Sequence, residues 1–373
     1  MPYLDHAATT PLAPEALEAM RAAWERPRNA SSAHRAGQAA RRLLEDARAR
    51  LAAALDAEPS WVVFTSGASE ANNLAIRGHA DHEAGHGRRA AIASSPLEHS
   101  CVRETVARLA IQGRAAVHTL AVSPEGRADT AAPGLERASL LCLMAVQNET
   151  GAVQDLAGAR ALAARLGARW LCDGAQALGK VPFSVRASGA DFVSVSAHKV
   201  GGPSGIGALV GPGVTALAPQ ITGGPQEGGL RAGTQAVALA AGFAAAAEAA
   251  VARLAERAAR MAELERIVAD ALDARGVPWR RNGGEPRAPG FFNISIEGLE
   301  GADLVIALDA RGFEAGSGSA CSTGVMEVSP AMHAMFPRDT ARAAGALRIT
   351  FGAGNTPEDA HALGAALAGL AGR

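Results

Sequence analysis

The chain has 373 residues, 48% of them hydrophobic, and its 36 basic and 37 acidic residues leave a formal net charge of -1. That length can bury one large core or two domains without metal or disulfide staples. A near-neutral balance with no arginine-lysine block excludes a nucleic-acid tail, so a small-molecule substrate or a protein partner is expected. The start, MPYLDHAATT, has neither a basic nor an apolar leader region, and a cytoplasmic, reduced setting is the default expectation. Apolar positions at helical spacing over 35–55 predict a helix, WVVFTSG a strand entering a glycine turn, and SEANNLAIRGHA a second helix. The segment HADHEAGH, with His79, His82 and His86, reads as a solvated connection rather than a metal site. Strand-like pieces follow in RAAIASSP, AAVHTLAV, SLLCLMAV, ARWLCDGA and DFVSVSAH, with helices such as EHSCVRETVARLA and LAGARALAARLG between them. Strand alternating with helix predicts an α/β layer with a mainly parallel sheet, whose ligands sit at the carboxyl ends of the strands.

Past that layer, the alanine-rich run at 236–250 carries Glu248 and leads into RLAERAARMAELER, which predicts one long soluble helix and no membrane span. The texture then changes to a surface connection RRNGGEPRAPG, strands FFNISIEG and GALRITFG, and helices ADLVIALDARG and TPEDAHALGAALAGLAG, the last opened by Thr356 as N-cap. This suggests a smaller α+β domain. No internal repeat is visible.

Four cysteines, Cys101, Cys142, Cys172 and Cys321, form no CxxC pair, which argues against a disulfide framework or a thiolate zinc site. Cys142 and Cys172 lie in apolar strands and read as core thiols, and Cys101 at a helix start is ambiguous. Cys321 differs: in EAGSGSACSTG it is surrounded by glycines and small hydroxyl residues, with little apolar company. Lysine is equally telling. Arginine is used almost everywhere, yet lysine stands at Lys180 and Lys199, and an amine can lose its proton and act as a nucleophile where a guanidinium cannot.

The chemistry-bearing residues cluster at strand ends. TSGASEANN places Thr65, Ser66 and Ser69 around Gly67 before a helix, a phosphate cradle or an ordinary capped turn. LCDGAQALGK delivers Asp173, and VSVSAHK delivers Ser196, His198 and Lys199, to the same rim if both strands share a parallel sheet. That set suits pyridoxal phosphate, with Lys199 in Schiff-base linkage and Asp173 on the pyridine nitrogen; singly, Lys199 could be a solvated lysine and Asp173 a helix cap. His99 in SPLEHSC could stack on a planar ring or be structural, and Asn148 in VQNETG could donate to a ring substituent. Arg348 inside the apolar strand GALRITFG needs a partner, either a substrate carboxylate or an internal salt bridge.

Taken together, YLDHAATT, TSGASEANN, LEHS, VQNETG, CDGAQALGK, SAHKVGGPSGIGAL, GLRAGTQ, FNIS, GSGSACSTG and LRITFG resemble cysteine desulfurases of the NifS/IscS type, in the class V aminotransferase group of fold type I pyridoxal phosphate enzymes. The resemblance implies a large domain over 15–250 with a mainly parallel seven-stranded sheet, and a smaller α+β domain from 1–14 and 251–373 carrying a mobile cysteine loop at about 314–327. It implies a homodimer converting L-cysteine to L-alanine and leaving sulfane sulfur as a persulfide. A selenocysteine lyase or aminotransferase of the same fold is the alternative, and a non-enzymatic scaffold is disfavoured because Lys199, Asp173 and Cys321 are all present.

Carried to matching positions, Lys199 is the Schiff-base lysine, His99 stacks on the cofactor and assists proton transfer, and Asp173 holds the pyridine nitrogen, with Gln176 and Asn148 on the ring-oxygen side. Ala68, Ser69, Ser196 and His198 hold the phosphate, with Thr234 reaching across from the other subunit. Asn148 and Arg348 bind the substrate carboxylate, and Cys321 attacks the substrate sulfur. No metal is expected in the protein core, although Cys321 could touch an iron-sulfur cluster. The persulfide passes to an acceptor protein, an iron-sulfur scaffold or a thiolation carrier, with no nucleic-acid or membrane partner. Gly228 and Leu230 stand where the family carries basic residues, and the tail to Arg373 is shorter than in members whose extension docks a scaffold.

Overall fold

The computed structural model describes residues 1–25, 27–131, 135, 137–316 and 328–372. Ten strands form two sheets: β1 Val62–Thr65, β2 Ala90–Ser94, β3 Ala115–Thr119, β4 Leu140–Cys142, β5 Arg169–Asp173, β6 Phe192–Ser196 and β7 Gly207–Val210 in one, and β8 Trp279–Arg281, β9 Phe291–Ile296 and β10 Ala346–Thr350 in the other. The large sheet runs β1-β7-β6-β5-β4-β2-β3, and β7 alone runs against the rest. This is the mainly parallel layer that the strand-helix alternation leads one to expect, with the seven strands that the resemblance implies.

Apart from the half-exposed edge strand β3, its strands are nearly continuous buried runs because both faces are covered. Successive side chains point to opposite faces, so Trp170 and Cys172 enter the cluster with Phe243 and Leu162, while Leu171 between them enters the cluster with Ile76 and Val106. Cys142 and Cys172 are fully buried, and burial pushes both thiols well up from their ordinary value. They are part of the core. Gly207 at the head of β7 is required by close approach: a Cβ there would lie 2.6 Å from the Cα of Gly67, in the turn after β1.

The small sheet is antiparallel in the order β10-β9-β8 and has its own apolar cluster, formed with Leu4 and the helices Leu254–Asp273, Gly301–Asp309 and Pro357–Ala371. The last of these opens with a full capping box, Thr356 accepting from Asp359 N and the Asp359 carboxylate from Thr356 N.

Two elements differ from the sequence reading. The alanine-rich run is two helices, Val237–Ala252 and Leu254–Asp273, bent by 71° at Arg253. The first packs on Pro14–Trp24 and Arg35–Ala54, the second on Pro357–Ala371, and a straight helix could not serve both. Arg253 at the bend pairs with Glu15 at 2.7 Å. No single helix among the described residues is long and apolar enough to cross a membrane. Second, HADHEAGH is no solvated connection: the helix Ala68–Gly85 runs through it, and His79 is buried with Nε2 3.0 Å from Ser139 Oγ.

Candidate active site

Because β1, β2, β4, β5 and β6 point the same way, the residues following them meet at one rim. There they line a cavity of about 390 Å³, within the range of small-molecule sites. It is bounded by Ala68, Ser69, His99, Asn148, Asp173 and Lys199, with Gln176, Ser196 and His198 also on its wall. A larger hollow of about 930 Å³ lies elsewhere, around Arg41, Arg48 and Glu227, and contains none of the predicted site residues.

The cradle is the first turn of Ala68–Gly85, which no side chain caps. Its N–H groups are therefore left for a ligand, and the helix dipole favours an anion there. Glu70 bonds back to Ser66 N at 2.8 Å and is held by Arg231 at 2.9 Å, so the turn is braced from outside. Ser196 Oγ lies against Gly67 from the next wall.

Opposite the cradle, Asp173 is buried with one oxygen accepting from Ala175 N at 2.9 Å and the other from Asn72 Nδ2 at 2.8 Å. Asn72 also approaches Cys101 Sγ at 3.3 Å, and its own Oδ1 is buried without a partner. Since the carboxylate can only accept, the amide must turn its NH₂ toward Asp173. His99 caps the helix Ser100–Ile111, its Nδ1 accepting from Cys101 N at 3.2 Å. Burial, opposed by Asp173 and assisted by Lys199, lowers its pKa. The neutral ring thus carries its proton on Nε2. Glu98, almost fully buried beneath the site with Met144 N on its carboxylate, is pushed up to about 8 by burial.

Lys199 Nζ donates to the carbonyls of Ala7 at 2.5 Å and Ala8 at 2.8 Å. Burial, and next the Arg348 guanidinium, lower its pKa to about 8. Gln176 Nε2 bonds the same Ala7 carbonyl at 2.9 Å.

Arg348 stands apart from this cavity wall, buried on β10, with Nη2 on Asp5 Oδ1 at 2.7 Å and Nη1 on the Asn148 carbonyl at 3.3 Å. The salt bridge open at the sequence level is therefore present, yet Nε is buried with no partner among the described residues. Thr234 lines a small separate hollow with Arg231 and Glu227. Cys321 lies in 317–327, outside the described residues. The chain on either side of that segment is anchored: Gly316 pairs with Arg348 through two backbone bonds, and Ser329 Oγ donates to Glu149 at 2.6 Å.

Several site residues carried no sequence argument of their own. Asn72 follows Ser69 at i+3 on one helix face, a spacing that could have flagged it. Cys101 lines the cavity with its thiol raised to about 11 by burial and by Asp173. Asp5 and the Ala7 and Ala8 carbonyls reach Lys199 and Arg348 only through the fold.

The donors fit pyridoxal phosphate: an anion cradle, a buried carboxylate opposite it, and between them a lysine whose amine is half neutral near pH 8. The aminotransferase class-V family model matches residues 2–363. The chain is 38% identical over 373 residues to an IscS-like cysteine desulfurase of Mycobacterium tuberculosis, covering 97% of this chain and 94% of that one. A solved NifS-like protein superposes with a TM-score of 0.89 at 30% identity, covering 99% of this chain and 98% of the other. A structure described as SspA in complex with cysteine gives 0.80 at 30% identity, over 94% of this chain and 99% of that one. On the matched length and identity, this chain belongs to the aminotransferase class-V family.

Proposed function

We propose that this protein is a pyridoxal phosphate-dependent cysteine desulfurase, converting L-cysteine to L-alanine and retaining the sulfane sulfur as a persulfide on Cys321. The observation that carries the reading is the meeting of cradle, carboxylate and lysine in one cavity, beside the two anchors of the segment that holds Cys321.

The bound cofactor supplies an electron sink that makes the substrate Cα–H acidic and the Cβ–S bond cleavable. Lys199 would hold the cofactor through its amine, which burial keeps readily deprotonated, and the same amine would move the proton at the substrate Cα. The Asp173 carboxylate, fixed by Asn72 and Ala175, holds a proton on the ring nitrogen. His99 would stack on the ring and present its Nε2 proton, and Asn148 and Gln176 would serve the ring-oxygen side. Ala68 and Ser69, with Ser196 and His198, bind the phosphate, and Thr234 does so from the second copy of a homodimer. Arg348 binds the substrate carboxylate with Asn148, and its buried Nε is a donor awaiting an acceptor. Cys321 takes the sulfur and passes it to an acceptor protein, an iron-sulfur scaffold or a thiolation carrier, in the cytoplasm.

The same reading divides the chain into a cofactor-binding domain of residues 15–250 and a smaller domain of 1–14 and 251–373. The separate apolar cluster joining Leu4 to the three-stranded sheet supports this division.

The test is direct. Purified protein should carry a visible absorption band that shifts on adding L-cysteine, with alanine and sulfide formed in step under a reductant. A protein that binds cofactor and cysteine but forms no alanine contradicts the reading. Preference for selenocysteine over cysteine in the same assay would favour the lyase.

A further inference from the structure

Where the N-terminal segment, the turn after β5, the helix Leu254–Asp273 and the end of β10 meet, His6, Lys180 and Arg257 line a second, much smaller cavity of about 20 Å³. Its wall is completed by threonines, apolar groups and the backbone at Phe351 and Gly352, and among the described residues no Asp or Glu lines it. Lys180 has a hydrogen bond to the neutral Gln176 Oε1 and lies 5.4 Å from the Phe291 ring centroid. Among the described residues neither Lys180 nor Arg257 has a carboxylate within ion-pair distance, and Arg257 Nε is buried with no partner. His6 is 6% exposed and packed tightly on the chain at Gly352, where a Cβ would fall 2.1 Å from its ring.

A buried cation is retained where it is paired or where something neutralises it. Here two cations and an imidazole share one hollow with no carboxylate among the described residues that line it. The volume holds a single particle the size of a water or a small ion, far too little for a substrate or a phosphate ester. We propose that His6, Lys180 and Arg257 form a binding site for one small inorganic anion of the halide class, which neutralises Lys180 and Arg257 and ties the N-terminal segment to the small sheet.

The site is separate from the reaction but connected to it. Lys180 bonds Gln176, and Gln176 shares the Ala7 carbonyl with Lys199. The anion keeps Lys180 charged, which strengthens its bond to Gln176 Oε1 and so holds the Gln176 amide NH₂ on Ala7. Burial and the neighbouring cations otherwise drive Lys180 toward its neutral form.

The experiment uses the holoprotein. Crystals soaked in sodium bromide should show an anomalous peak in this cavity, within contact distance of Lys180 Nζ and Arg257. In solution, the unfolding temperature should be a few degrees higher in sodium chloride than in sodium gluconate at equal ionic strength, because gluconate is too large to enter. Arg257→Leu should abolish that difference. A water in the cavity of bromide-soaked crystals overturns the proposal, as does an equal chloride effect in the wild type and Arg257→Leu. Should Arg257→Leu fail to fold, the bromide peak in the wild-type crystal decides alone.

Discussion

Arg348 and Gly316 are bonded backbone to backbone, Arg348 N donating to Gly316 O at 2.8 Å and Gly316 N to Arg348 O at 3.1 Å. The strand residue assigned to the substrate carboxylate therefore also fixes one end of the segment holding Cys321. Glu149, next to the substrate-side Asn148, fixes the other end through Ser329. In the proposed function, the substrate-binding residues and the two anchors of that segment thus share their supports.

That sharing makes Gly316 a sensitive position. A Cβ there would lie 3.0 Å from Asp5 Oδ1 and 3.1 Å from Arg348 Nη2, both at the heart of the Arg348–Asp5 pair. Gly316→Val should raise KM for cysteine about tenfold, the loss of roughly one charged hydrogen bond, while cofactor content stays unchanged. Steady-state kinetics with the absorption spectrum as control check this, and an unaltered KM contradicts it.

Asn72 is expected to control how firmly the cofactor is held. Asn72→Asp sets a carboxylate where an amide now donates to Asp173 at 2.8 Å. Two like charges at that distance raise the pKa of the pair, so the ring nitrogen loses its ionised partner. Cofactor affinity, measured by titrating the apoprotein, should fall by about tenfold or more, the equivalent of one pKa unit. Undiminished affinity would remove Asn72 from the account.

Lys199 makes a pH prediction. Its pKa is lowered to about 8 from the ordinary 10.5, so the amine is mostly protonated below pH 8 and mostly free above it. Uptake of pyridoxal phosphate by the apoprotein should accelerate about tenfold per pH unit below that value and level off above it. Stopped-flow absorbance measures the rate, and a rise continuing to pH 10 would show an unperturbed lysine.

These positions show what the sequence could disclose. Strand ends are legible because apolar runs stop abruptly at polar residues, as at Asp173, Ser196 and the turn before Asn148, and a mainly parallel sheet then gathers them on one rim. The partners of those residues are not legible in the same way. Lys199 is held by Ala7 and Ala8, and Arg348 by Asp5, through contacts between residues 191 to 343 positions apart that leave no local pattern. The break at Arg253 was hidden for another reason: alanine-rich sequence is helical on either side, and only packing on two different helix sets bends it. His79 looked polar in sequence and is buried because Ser139 satisfies its ring.

His79 also carries a stability prediction. Burial lowers its pKa to about 4, below the ordinary 6.5, so the folded protein keeps it neutral where the unfolded chain is already protonated. Its contribution is therefore complete above pH 6.5 and is lost as pH falls toward 4, by at most roughly 3 kcal/mol. His79→Gln should flatten urea stability over that range relative to the wild type. Parallel pH dependence in the two proteins would contradict the assignment.

The central claim is that Cys321 carries the sulfur away from the cavity built around Lys199 and Asp173. The most direct measurement is mass spectrometry of the protein after one turnover with L-cysteine, without reductant. The account predicts one added sulfur atom on the peptide containing Cys321, and a Cys321→Ser variant that still binds cofactor but forms neither persulfide nor alanine at the wild-type rate. Unchanged alanine and sulfide yields in Cys321→Ser, or added sulfur located on Cys101 instead, would contradict it.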